Sequence, residues 1–136
     1  KRFNDDRRAR NATTDDPRQQ LTWMIEAGLP TGPEDAEWRS IWRAVLAAGF
    51  ELDERTDVQA ILHRQVALYT AVLEAGAIAE CFDLAYDPAD IAMTLMSMED
   101  YLGYRIAARD PQIGRADALR LMRNYAETAT GATLPS

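Results

Sequence analysis

One cysteine and one histidine are all that this 136-residue chain holds of the side chains that most often carry enzymatic and metal chemistry. A lone Cys81 forms no internal disulfide, as expected of a protein from a reducing cytoplasm. A lone His63 leaves no Ser/His/Asp or Cys/His arrangement, no HExxH helix and no pair of Glu-x-x-His motifs. No Gly-rich phosphate loop occurs. Apolar runs fall short of the roughly 20 residues that cross a bilayer, and no charged-then-apolar leader opens the chain. Neither a membrane span nor export is therefore expected. No segment alternates apolar and polar residues for long enough to read as a strand. Low-complexity tracts and internal repeats are also missing. Together these absences point away from an enzyme and away from a bound metal or cofactor.

Charge is plentiful but uneven. Fifteen bases face 22 acids, for a net charge of −7. The first ten residues hold five of the bases (Lys1, Arg2, Arg7, Arg8, Arg10) against Asp5 and Asp6, so the remainder carries −10. An acidic body repels a phosphate backbone. Contact with DNA is expected only through a part of the protein outside this chain, or at most through its first few residues. The opening Lys, where a Met would start a gene product, suggests a segment upstream.

The hydrophobic pattern is helical throughout and predicts an all-α fold of five helices with short loops. Residues 1–12 are polar and basic and fit the tail of a helix entering from upstream. Asp16-Pro17 opens the first clear helix, with Leu21, Met24, Ile25 and Gly28 on one side. After the Leu29–Pro33 loop, a helix over 34–49 places Trp38, Ile41, Trp42, Val45 and Leu46 at i, i+3, i+4, i+7 and i+8. Arg39, Arg43 and Glu37 fall on its outer side. A long helix from about Asp53 has Val58, Leu62, Gln65, Tyr69, Val72, Leu73 and Gly76 as its inner stripe. The spacing predicts a further helix from Asp87-Pro88 to Arg109, ended by Asp110-Pro111, and a last one over 115–130 closed by Gly131.

The helix over 88–109 has more apolar surface than one face needs. Ile91, Leu95, Met98, Leu102 and Ile106 make one face; Ala92, Met96, Gly103 and Ala107 a second; Met93, Tyr101 and Tyr104 a third. Three groups are candidate ligand contacts. Gln65 interrupts an apolar stripe, and a buried amide needs a hydrogen-bond partner; a neighbouring helix or a ligand would serve equally. Trp38, Trp42 and Tyr69 face one interior, as core or as the wall of a site. Met93, Ser97, Asp100 and Tyr101 combine adaptable and polar side chains, as a small-molecule site does; a Met-rich core with a wet Asp100 is the alternative. His63 is expected to face solvent. The acids Glu51, Asp53, Glu54 and Asp57 are expected to serve a helix start.

The run Ala92-x-x-Leu95-x-Ser97-Met98-Glu99-Asp100-Tyr101-Leu102-Gly103 resembles the next-to-last helix of TetR-family bacterial transcriptional regulators, with Tyr101 where that family usually has glycine. Val72-Leu73-Glu74-Ala75-Gly76 followed by Cys81-Phe82, the helix with Trp38 and Trp42, and the closing helix ending near Gly131 are similar to the family as well. The resemblance implies that residues 1–12 end a connecting helix from an N-terminal helix-turn-helix not in this chain. Residues 13–136 would then be a ligand-binding and dimerisation domain. It implies a homodimer in which the last two helices pack on their symmetry mates as a four-helix bundle, through Ala92, Met96, Gly103, Ala107, Leu121, Met122 and Tyr125. It also implies a small-molecule effector, largely apolar, held by Trp38, Trp42, Gln65, Tyr69, Met93, Ser97, Asp100 and Tyr101, with operator DNA bound by the upstream domain alone. A non-regulatory helical dimerisation module with a filled core is the alternative.

Overall fold

The computed structural model describes the backbone of residues 2–136 and the side chains from Arg7 onward. Among these there are six α-helices, one 3-10 turn and no strand. The helices are α1 (Arg2–Asn11), α2 (Pro17–Gly28), α3 (Ala36–Ala47), α4 (Thr56–Ile78), α5 (Pro88–Ala107) and α6 (Arg115–Thr130), with the 3-10 turn at Leu52–Glu54 before α4. The all-α expectation holds. The count rises from five to six because residues 2–11, expected as the tail of an upstream helix, form a helix in their own right ahead of α2.

Local chemistry explains most boundaries. Asp16 accepts the Arg18 amide at 3.0 Å, and Pro17 takes the first helical position of α2, where a missing N–H costs nothing. Asp35 accepts the Trp38 amide and so starts α3 two residues later than the apolar pattern suggested. α4 begins at Thr56, not at Asp53, because Leu52–Glu54 wind more tightly first. Asp57 pairs with Arg55 at 2.9 Å. Gly131, at φ +68°, closes α6.

α4 and α5 pack side by side, with α2 and α6 completing the core around Leu21, Met24, Ile25, Leu73, Ile91, Leu95, Met122 and Ala126, each fully buried. The inner stripe expected for α4 is buried except for the half-buried Leu62. Gly76 marks a close crossing: a Cβ there would lie 2.0 Å from the Phe82 ring, and the Gly76 carbonyl accepts the Cys81 and Phe82 amides at 2.9 and 3.0 Å. Arg115 ties the start of α6 to the end of α2, donating to the carbonyls of Glu26, Leu29 and Pro30 at 2.8–3.1 Å. No helix among the described residues is long and apolar enough to cross a membrane.

α3 is attached differently. Its hydrogen bonds to the rest lie in its first turn and the loop before it. Trp38 Nε1 donates to the Gly28 carbonyl at 3.2 Å. Arg39, expected on the outer side, donates to the Ala107 carbonyl at 2.7 Å and to Pro33 at 2.9 Å. Glu34 pairs with Arg109. Beyond Arg39, no side-chain hydrogen bond among the described residues joins α3 to another element. Leu46 and Phe50 are exposed.

Candidate functional site

The second face of α5 is covered from within the chain. Trp38 lies so close over Gly103 that a Cβ there would approach the indole to 2.3 Å. Ala92, Met96, Gly103, Ala107 and Met122 are all buried inside one copy of the chain. Their expected role as a dimer face is corrected on that ground: α3, α4 and α6 already occupy the apolar surface that seemed to need a second subunit. Of the seven residues named for the interface, Leu121 is exposed and Tyr125 half-buried.

Trp38 and Trp42 stack at 5.3 Å between ring centroids with planes 22° apart, and Tyr104 continues the row 6.1 Å from Trp42. Beneath them is a small cavity of about 20 Å³. Trp38, Ile41, Trp42 and Val45 of α3 form one wall, Leu62 and Gln65 of α4 a second, and Glu99 and Asp100 of α5 the floor. That volume holds about one water molecule. A groove of about 260 Å³ adjoins it, lined by Leu62, His63 and Val66 of α4 and by Met93, Met96, Ser97 and Asp100 of α5. Leu62 and Asp100 belong to both spaces.

Of the eight expected ligand residues, Trp38, Trp42, Gln65 and Asp100 thus meet at the cavity, and Met93 and Ser97 lie in the groove. Tyr69 is fully buried and lines neither space. Tyr101 is 60 % exposed and points elsewhere, with the Arg105 guanidinium over its ring at 5.6 Å. His63 is exposed, as expected.

The polar centre of the molecule was not anticipated. Glu99 is 2 % exposed and Arg7, from α1, is 3 % exposed. Arg7 Nη2 donates to Glu99 Oε1 at 3.1 Å and to the Met24 carbonyl at 3.0 Å. The Tyr69 hydroxyl donates to the same carboxylate oxygen at 2.9 Å, and the guanidinium lies 5.2 Å from the Tyr69 ring centre. Gly28 makes room for the pair, since a Cβ there would fall 1.7 Å from Glu99 Oε1. Burial, then the Glu99 charge, hold the Tyr69 phenol well above its usual range. Burial acts to lower the Arg7 pKa, but Glu99 and Tyr69 outweigh it and hold it above the ordinary value. Arg7 is therefore turned inward, away from any phosphate its sequence position suggested. A signal for Glu99 was present: it stands four residues after Leu95 and three before Leu102, an acid inside an apolar stripe.

Asp100 lacks such compensation. Its carboxylate makes no hydrogen bond to a described residue, and neither does the Gln65 amide, though Gln65 is 6 % exposed. Burial, then the neighbouring Glu99 charge, push the Asp100 pKa up to about 7, with Arg7 opposing. The cavity offers aromatic faces, one amide and one carboxyl group without an ion-pair partner among the described residues. The chain matches no family model, no curated protein and no solved structure.

Proposed function

We propose that this chain is the effector-binding and dimerisation part of a TetR-like transcriptional regulator. The observation that carries the reading is the position of Glu99: its side chain borders the cavity and holds Arg7 of α1 in a buried ion pair. A molecule that enters between α3, α4 and α5 acts on Glu99 and Asp100, and so on the seating of α1. In this reading α1 ends a helix from an upstream helix-turn-helix, which alone binds the operator. The occupied and empty forms differ in the angle of α1, and only a difference in effector affinity between them drives the change. Because two recognition helices must meet half-sites about one DNA turn apart, a small shift of each head weakens binding. The homodimer forms through the outward sides of α5 and α6, where Tyr101 and Leu121 are exposed and Tyr125 is half-buried. The protein is not an enzyme and works in the cytoplasm.

The alternative, a dimerisation module without a ligand, is favoured by one observation: the cavity itself has room for little more than a water. Native mass spectrometry of the protein purified from its host separates the two. A dimer that retains or takes up a small molecule is expected. A dimer that binds none points to the module, and a compact monomer at high concentration sinks both.

A further inference from the structure

We infer that the occupant of the site is an organic ammonium ion with an apolar tail, its charge between the Asp100 carboxylate and the indoles of Trp38 and Trp42, its tail along the groove between α4 and α5. The inference rests on the reading of this cavity as an effector site and names the class of effector.

Charge decides the first part. The cavity is lined by two carboxylates and by no basic side chain. Glu99 already has Arg7, at 3.1 Å with both side chains almost wholly buried. Asp100 makes no hydrogen bond among the described residues, and burial beside Glu99 raises its pKa to about 7, so a full negative charge stands in the cavity only above that pH or once a cation enters. Burial makes that charge costly, and an entering cation relieves the cost where an anion adds to it. Gln65 is more than nine-tenths buried at the cavity wall and its amide is unpartnered there, so its carbonyl oxygen accepts an ammonium N–H and its amide turns to the carboxylate. Stacked tryptophans add a negative π surface that attracts ammonium more than any neutral group.

Size decides the second part. A space of about 20 Å³ takes a water, not an alkylammonium. The adjoining groove, about 260 Å³, opens onto the same Asp100 and is walled by Val66, Met93 and Met96, which suit a flexible hydrocarbon. The head reaches Asp100 by displacing the part of α3 beyond Arg39, which no side-chain hydrogen bond among the described residues holds down.

Three probes of equal chain length test this by tryptophan fluorescence on the wild-type protein: octylammonium, 1-octanol and octanoate, each below its aggregation limit. Trp23 lies apart, under Arg10, and supplies a constant background. The ammonium is expected to bind at least about tenfold tighter than the alcohol, a modest free-energy difference, with octanoate the weakest. Asp100→Asn is expected to bring the ammonium down to the level of the alcohol, while near-ultraviolet circular dichroism reports that the variant is folded. An alcohol as tight as the ammonium, a tighter octanoate, or a folded D100N that keeps the preference overturns the ammonium assignment and leaves the effector site standing. No response to any of the three by the wild type overturns both.

Discussion

Glu99 and Arg7 are ion-pair partners whose side chains are almost wholly buried, which makes each dependent on the other. Removing one leaves a charge buried and uncompensated, at a cost of about 3–5 kcal/mol. Glu99→Leu and Arg7→Met are each expected to lose that much in urea denaturation, and the double variant to lose much less than the two together. Tyr69→Phe removes one hydrogen bond to the carboxylate and is expected to cost about 1–3 kcal/mol. Asp100 makes a pH prediction. Its folded pKa, about 7, is raised above the ordinary 3.8. The folded state therefore keeps a proton that the unfolded state has given up, so this contribution to stability is complete below pH 3.8 and lost as pH rises through about 7. Tm is expected to fall between those limits and then level off, and Asp100→Asn to flatten the fall. The groups facing Asp100 are Glu99 on its own helix, Arg7 from α1 and His63 across the groove. A His63→Gln control keeps the Asp100 contribution separate. A profile unchanged in D100N would refute the assignment.

α3 is the element on which access turns. It is pinned at one end by Trp38, Arg39 and Glu34 and otherwise laid over α4 and α5 by half-buried Ile41, Trp42 and Val45. Gly103 is the floor under its anchor. Gly103→Ala drives a methyl into the Trp38 indole, 2.3 Å from Cζ2, and something must shift. The expected result is a loss of about 1–3 kcal/mol, a red-shifted tryptophan emission and faster proteolysis across residues 40–55. Unchanged emission would mean that Trp38 is not the clamp. Sequence periodicity found α3 and four of its five inner residues, Leu46 being exposed instead, but not this arrangement, because amphipathic phase says which side is apolar and not which neighbour covers it.

For the whole molecule, the surplus apolar surface of α5 divides in two. The small-residue face is consumed inside the subunit, while Met93, Tyr101 and Tyr104 remain exposed on α5, with Leu121 on α6. Association through α5 and α6 is therefore expected to depend on Tyr101, Leu121 and Tyr125. Leu121→Asp with Tyr101→Asp, both at exposed positions, should shift sedimentation equilibrium toward monomer by at least about tenfold in Kd, since two charges are placed in a contact that must dehydrate them, with the Tm of the monomer little changed. A dimer indifferent to both would place the interface elsewhere.

Most helix positions, most of their inward stripes and the exposure of His63 were legible in residue order, whereas the meeting of Trp38, Trp42, Gln65 and Asp100 from three helices was not. The legible features depend on caps, prolines and a 3.6-residue period that act within a turn or two. The Arg7–Glu99 pair joins residues 92 positions apart, and no local rule links them. The fate of Ala92, Met96, Gly103, Ala107 and Met122 was likewise open, because a small or apolar residue reads the same whether its own chain or a second copy covers it. Only the packing of α3 onto α5 and of α1 against α2 and α4 settled those questions, since burial is a property of the assembled surfaces and not of the segment that carries them.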